Sequence, residues 1–251
     1  MFGRIDVKRS CSMPGSILLV FAHPDDESSS TGGTTAKYTE RGVSVDLICA
    51  TRGEKGSRLD VPPEVDTATA REAELRAAAA ITGIRNVYLL GYVDGNLEKG
   101  DTAEIASRIL NIMREVQPEI VITFGPDGIS GHPDHKAISK AATLAFDLST
   151  ERGTGARKLY YVTIPESALT DVGGEHANGV IARPDEEVTT IIDISIHIDA
   201  KIRALRAHSS QQDARWLAEI FQQSAELTGA SREFFYLARP KKTTKETDIF
   251  E

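Results

Sequence analysis

The stretch Ser16–Glu27, SILLVFAHPDDE, limits what this chain can fold into more than any other. Ile17 to Phe21 form an unbroken apolar run, too short for an ordinary helix and without the alternation of a half-exposed strand. Such a run predicts a strand buried on both faces, as in a parallel sheet. The strand stops in His23-Pro24-Asp25-Asp26-Glu27, which sets an imidazole and three carboxylates at its carboxyl end. In open α/β sheets that end is where ligands bind. Imidazole nitrogen together with carboxylate oxygen is a donor set that zinc accepts.

The chain beyond it alternates between helix and strand patterns. A helix is expected over 28–41, where Gly32 and Gly33 signal either close approach to a ligand or close packing on the sheet. Strands follow at 43–51, 87–90 and 119–124, with helices at 67–82 and 101–117 between them. Residues 59–66 read as a surface loop before the first of those helices, and Gly83 ends that helix. Asp101 is placed to cap the second, and Pro118 lies beyond its end. This alternation predicts a Rossmann-like, doubly wound, mostly parallel α/β sheet with helices on both faces. In the usual order 3-2-1-4, strands one and four are neighbours with a crevice between them. The loop after strand four carries Gly131-His132-Pro133-Asp134-His135, so a second His/Asp cluster is expected beside the first.

Further on, a helix is expected at 136–148, strands at 158–163, 188–194 and 233–238, and helices at 198–207 and 213–225. Residues 165–184 read as a lid or surface excursion. The division expected is a flexible end over 1–15, a single α/β domain over 16–240 and a polar, solvated tail over 241–251. The formal charge of −8 argues against a nucleic-acid partner. No apolar run is long enough to span a bilayer, and the charged first residues lack the apolar centre of a secretion signal. A cytoplasmic protein without membrane contact is expected, with homo-oligomers open. Cys11 and Cys49 are the two cysteines, and no disulfide framework is expected.

A catalytic zinc usually has three protein ligands and an open position. His23, Asp26 and either His132 or His135 fill that list. Asp25 and the remaining histidine then stand beside the ion as a carboxylate that can accept a proton and an imidazole that can stabilise an oxyanion or protonate an amine. Taken alone, each cluster also reads as an ordinary turn or helix start.

The two motifs together resemble the LmbE/PIG-L family of zinc-dependent de-N-acetylases, which act mostly on N-acetylglucosamine-type groups. Ala50-Thr51-Arg52-Gly53-Glu54, the segment Leu90 to Gly95 and Lys201 to Gln211 resemble further family segments, so the likeness runs from about Ile17 to Ala238. The resemblance implies His23, Asp26 and His135 as zinc ligands, Asp25 as general base and His132 as the electrostatic and acid group. It implies Arg52 and Asp94 as groups that hold sugar hydroxyls, although Arg52 could instead pair with Glu54 and Asp94 could be a plain turn residue. It also implies a small-molecule N-acetylated sugar or conjugate as substrate, with zinc or another divalent metal as cofactor. The chain departs from the family at Ser28-Ser29-Ser30, where relatives often carry larger or apolar residues. Glu27 and Asp134 read as supporting or helix-start residues; His176, His197 and His208 read as structural. The competing functions are a metal-dependent phosphoesterase and a non-catalytic, metal-binding Rossmann-like protein. A nucleotide-binding module is disfavoured because the first loop lacks G-x-G-x-x-G.

Overall fold

A computed structural model describes residues 15–151, 155–171, 179–241 and 245–251. Cys11, Gly173, Gly174, His176 and nearly all of the expected flexible end lie outside those residues. Among the described residues, seven strands form one sheet in the order β3-β2-β1-β4-β5-β7-β6. They are β1 (Ser16–Phe21), β2 (Ser44–Thr51), β3 (Asn86–Tyr92), β4 (Ile120–Phe124), β5 (Lys158–Thr163), β6 (Thr190–Asp193) and β7 (Arg232–Arg239). The pairings from β3 through β5 are parallel, whereas β7 runs antiparallel between β5 and β6. The 3-2-1-4 order expected for the first four strands is the order observed.

β1 lies at the centre, paired with β2 on one side and β4 on the other. Ile17 to Ala22 are each at most 1 % exposed, which is why this strand carries no polar alternation. The helices are α1 (Asp26–Glu40), α2 (Thr67–Thr82), α3 (Thr102–Val116), the short α4 (Gly128–Gly131), α5 (Pro133–Glu151), α6 (Glu166–Asp171), α7 (Ile198–Ala207) and α8 (Gln212–Thr228). α1, α2, α7 and α8 pack with one another, and α3 packs with α5. Asp66 and Asp101 cap α2 and α3 by accepting the Thr69 and Ala103 amides, and Gly83 ends α2 in the left-handed conformation.

Three expectations need correction. α1 begins at Asp26, so the first acidic motif is itself a helix start and its carboxylates sit on the opening turn. α5 likewise begins at Pro133, inside the second motif, because proline's fixed φ suits a first helical turn. Residues 245–251 are not a solvated tail. Ile249 is fully buried, and the Glu246 backbone bonds that of Ile191 on β6 and of Thr189 just before it. The charged composition hides two apolar anchors, Ile249 and Phe250, which dock beside Tyr160 and Tyr38.

Candidate functional site

The ends of β1 and β4 bring the two motifs together. His23 Nδ1 lies 3.2 Å from His135 Nε2, and His135 Nε2 lies 3.4 Å from Asp26 Oδ1. His23 Nδ1 is 3.7 Å from the other Asp26 oxygen. Donors on a tetrahedral zinc at about 2.0–2.1 Å stand about 3.3–3.4 Å apart, so these spacings fit one small divalent ion. His132 also reaches the group, its ligand atoms lying within 4.8 Å of those of His23 and His135.

Each donor is aimed by a partner. Asp26 Oδ2 accepts the Ala22 and His23 amides at 3.1 and 2.8 Å, which turns Oδ1 toward His135. His135 Nδ1 donates to the Gly128 carbonyl at 3.0 Å, leaving a lone pair on Nε2, and the ring stacks on Phe124 with centroids 4.2 Å apart. Gly128 must be glycine: its φ is +70°, and a Cβ there would lie 2.9 Å from the His135 Cβ. His23 Nε2 faces Asp94 at 3.1 Å and Asp134 at 3.3 Å. A carboxylate behind a ligating imidazole fixes the ring and raises its basicity. Burial opposes a charge on His23, but Asp134, Asp94 and Asp26 outweigh it and raise the imidazole to about 10. The pocket thus carries negative potential that favours a cation.

Asp134 is fully buried and accepts the Gly95 and Leu97 amides at 2.7 and 3.0 Å, tying the loop after β3 to the start of α5. Asp94 is buried in the same knot; Oδ2 accepts the Lys55 amide at 2.9 Å. Burial would raise its pKa, but the hydrogen bond and charge of His23 and the Lys55 amide hold it at about 2. Glu54 accepts the Asp94 amide at 3.1 Å, and Arg52 pairs with Glu72 rather than with Glu54, the alternative that the sequence leaves open. Arg52 is not brought to the site. Its Nε lies 2.9 Å from Glu72 on α2, and the side chain is 36 % exposed.

Asp25 stands apart from the donors. Its φ is +108°, a conformation that costs an L residue about 1–2 kcal/mol. Its amide donates to Glu27 Oε2 at 3.0 Å and its carboxylate accepts from Arg71 Nη2 at 2.9 Å. Arg71 is buried and also donates to the carbonyls of Pro24 and Gly53, so one guanidinium clamps the loops after β1 and β2. Sequence reasoning missed Arg71, which sits inside an ordinary amphipathic helix. Behind Glu27 stands buried His208, with Nε2 2.8 Å from Glu27 Oε1. Burial raises the Asp25 pKa against the opposing charge of Arg71, and nearby Asp26 adds to the rise, giving about 6. His132 Nδ1 accepts the Asp134 amide at 3.2 Å, so the neutral ring carries its proton on Nε2. Burial and the neighbouring imidazoles lower its pKa. His197 pairs with Glu40 on the surface side of α1, away from the site.

Residues 18–146 match the family PIG-L, described as GlcNAc-PI de-N-acetylase. A protein of Kineococcus radiotolerans named 1D-myo-inositol 2-acetamido-2-deoxy-alpha-D-glucopyranoside deacetylase is 36 % identical, over 79 % of this chain and 69 % of its own. The chain belongs to the PIG-L family. A relative of the same name from Saccharomonospora viridis is 32 % identical, over 93 % of this chain and 99 % of its own. Among solved structures, N,N'-diacetylchitobiose deacetylase of Pyrococcus horikoshii aligns at a TM-score of 0.67 and 23 % identity, covering 92 % of this chain and 86 % of that one. The 4-carboxy-2-hydroxymuconate hydratase of Pseudomonas putida aligns at 0.69 and 24 %, covering 92 % and 99 %. At such identities the PIG-L fold is what these neighbours have in common with this chain. No helix among the described residues is long and apolar enough to cross a membrane.

Proposed function

We propose that this chain is a zinc-dependent hydrolase that removes the acetyl group from an N-acetylated sugar of N-acetylglucosamine type, with residues 16–240 as its single catalytic domain. The observation that carries the reading is the convergence of His23, Asp26 and His135 side-chain donors, with the His132 ring against them and Asp25 held by Arg71 on the adjoining turn. Those three side chains would hold the ion. A divalent ion there supplies Lewis acidity, which polarises an amide carbonyl and lowers the pKa of a water.

The chain's own groups divide the remaining work. Asp25, oriented by Arg71, accepts the proton of the attacking water. His132 presents Nε2–H to the oxygen on which charge develops, and the proton that Asp25 has taken is returned to the departing amine. Asp94 and Glu54 line the side of the site where sugar hydroxyls would lie, while Arg52 would have to leave Glu72 to reach them. The second carboxylate group, Asp94 with Asp134, shares His23 with the first. It gives no independent ligand set for a second ion, which disfavours two-metal phosphoester hydrolysis.

The test is amine release from N-acetylglucosamine conjugates by the zinc-loaded protein, with zinc content measured alongside. Release that is lost together with bound zinc in His135→Ala is the expected result. Zinc-loaded protein that releases amine from none of them contradicts the reading.

A further inference from the structure

The carboxyl rim of the sheet changes character across the three donors. On the β2–β3 side stand Glu54, Asp94 and the Asp25–Arg71 pair, all charged. On the β5–β7 side a cavity of about 290 Å³ opens from Asp26 and His135 themselves. Its walls are Ile164 beyond β5, Ala168 and Leu169 on α6, Phe234 at the start of β7, and Trp216 and Phe221 on α8. At the mouth, α1 contributes Ser29 and Ser30, whose small side chains leave the way open.

Beyond Asp26 and His135, three charged residues line the wall: Arg232, which is exposed, and Lys201 and Glu233, which are engaged with each other. Lys201 Nζ donates to the Ser29 carbonyl at 2.5 Å and to Glu233 at 2.6 Å, and lies 4.6 Å from the Phe221 ring centroid. The Glu233 carboxylate also accepts the Gly33 and Thr34 amides at 3.1 and 2.7 Å. Both side chains are buried, and their mutual pairing leaves the cavity apolar in effect.

An acetyl methyl is little larger than a water, which needs about 10–15 Å³ of such space. The cavity is more than an order of magnitude larger. An amide has two substituents, and the rim offers them two different surroundings. The hydroxyl-bearing amine part matches the charged side, and an apolar acyl part matches the cavity.

We infer that this site takes linear apolar acyl groups longer than acetyl as well as acetyl itself, seated between α6, α8 and the β5–β7 edge. The inference rests on the proposed amide hydrolysis. Water adds across the C–N bond, the carbonyl carbon leaves as a carboxylate and the nitrogen as an amine, with no change of oxidation state.

Zinc-loaded protein is tested on N-acetyl-, N-butanoyl-, N-hexanoyl- and N-octanoylglucosamine. The expected kcat/KM rises about fourfold per methylene until the cavity is full, the factor that ~0.8 kcal/mol per buried CH₂ corresponds to. Ala168→Phe, which fills the cavity from the surface helix α6, should collapse the hexanoyl-to-acetyl ratio toward one. The second readout needs neither metal nor turnover. Trp216 is the only tryptophan in the chain, so its emission should shift to shorter wavelength and saturate with N-octanoylglucosamine but not with N-acetylglucosamine. Turnover of the acetyl compound with no gain along the series overturns the acyl pocket and leaves deacetylation standing. If no amide is hydrolysed, the proposed reaction fails and the emission titration decides the pocket: a saturable shift supports it, and an unchanged spectrum overturns it.

Discussion

At the scale of single residues, Asp25 and Asp26 are adjacent, chemically identical and held in different ways. Asp26 is aimed at His135 by two amides, whereas Asp25 is turned away into a left-handed conformation and gripped by Arg71. Asp25→Asn should bind zinc nearly as well as the parent and lose about 10²–10⁴-fold in single-turnover rate, the usual contribution of a general base. Asp26→Asn should lose zinc affinity first. Metal analysis and single-turnover rates on the two variants check this, and metal loss in Asp25→Asn alone would reverse the roles. Arg71→Met removes the cation from a buried pair and should destabilise by about 3 kcal/mol, the lower end for such a loss, because Asp25 keeps some exposure. Adding Asp25→Asn to Arg71→Met should restore part of that stability in denaturant unfolding, since no charge is then left unpaired. Additive losses in the double variant would mean that the two side chains do not interact. The histidines and aspartates were legible because each motif packs several donors into a few residues at a strand end. Arg71 was not, since nothing in TAREAEL separates a buried clamp from a solvated arginine until the loops after β1 and β2 are folded over it.

At the scale of elements, α1 shows which part of a helix signal survives into structure. Its sequence is poor in apolar residues and carries two central glycines, yet it is a continuous helix with most of its residues buried. The packing reading of the glycines accounts for them. A Cβ on Gly33 would lie 2.4 Å from Ile194 Cδ1 and 2.8 Å from its Cβ, while one on Gly32 would lie 3.2 Å from Lys201 Cγ. The helix approaches the turn after β6 and α7 closely, and its amides at 33 and 34 bond Glu233 on β7. Gly33→Ala should therefore destabilise by about 1–3 kcal/mol through overpacking, although alanine is the better helix former by about 1 kcal/mol. Thermal unfolding of Gly33→Ala beside Gly42→Ala checks the cause by contrast. Gly42 has nothing within 4 Å of its would-be Cβ and a φ of +84°, so its cost is backbone strain alone. A Gly33→Ala protein as stable as the parent would remove close packing as the reason for the glycine. These glycines could be noticed in the sequence, but choosing between ligand approach and packing required Ile194 and Lys201, which are far from α1 in the chain.

For the whole molecule, the first four strands and their order were legible because each is a short apolar run separated by a capped helix. The far half of the sheet was less so. β7 comes last in sequence yet inserts antiparallel between β5 and β6, and a strand pattern alone does not specify its neighbours. The docking of residues 245–251 was hidden for a related reason: two adjacent apolar side chains, Ile249 and Phe250, among mostly charged ones give no periodicity. That segment closes the end of the sheet opposite the site. Tyr160 Oη donates to Glu246 at 2.6 Å, Lys158 Nζ lies 3.1 Å from the same carboxylate, and Tyr38 Oη donates to Asp248 at 2.9 Å. Ile249→Ala should cost about 2–5 kcal/mol, as for other fully buried isoleucines, while leaving zinc binding intact in the folded protein. The phenols give the same docking a pH signature. Burial, together with the hydrogen bond to Glu246, raises the pKa of Tyr160 well above its ordinary value. In the unfolded chain the phenol ionises near about 10. Above that pH the unfolded state has lost a proton that the folded state keeps, so stability falls as pH rises, by up to about 1.4 kcal/mol per pH unit for one group. This contribution is fully present below the unfolded pKa and is lost on going alkaline. Tyr160→Phe should therefore unfold with a shallower alkaline decline than the parent, whatever its stability at neutral pH. Denaturant midpoints of the two proteins between pH 9 and pH 11 measure the difference. Equal slopes would mean that Tyr160 is not held neutral by the docked segment.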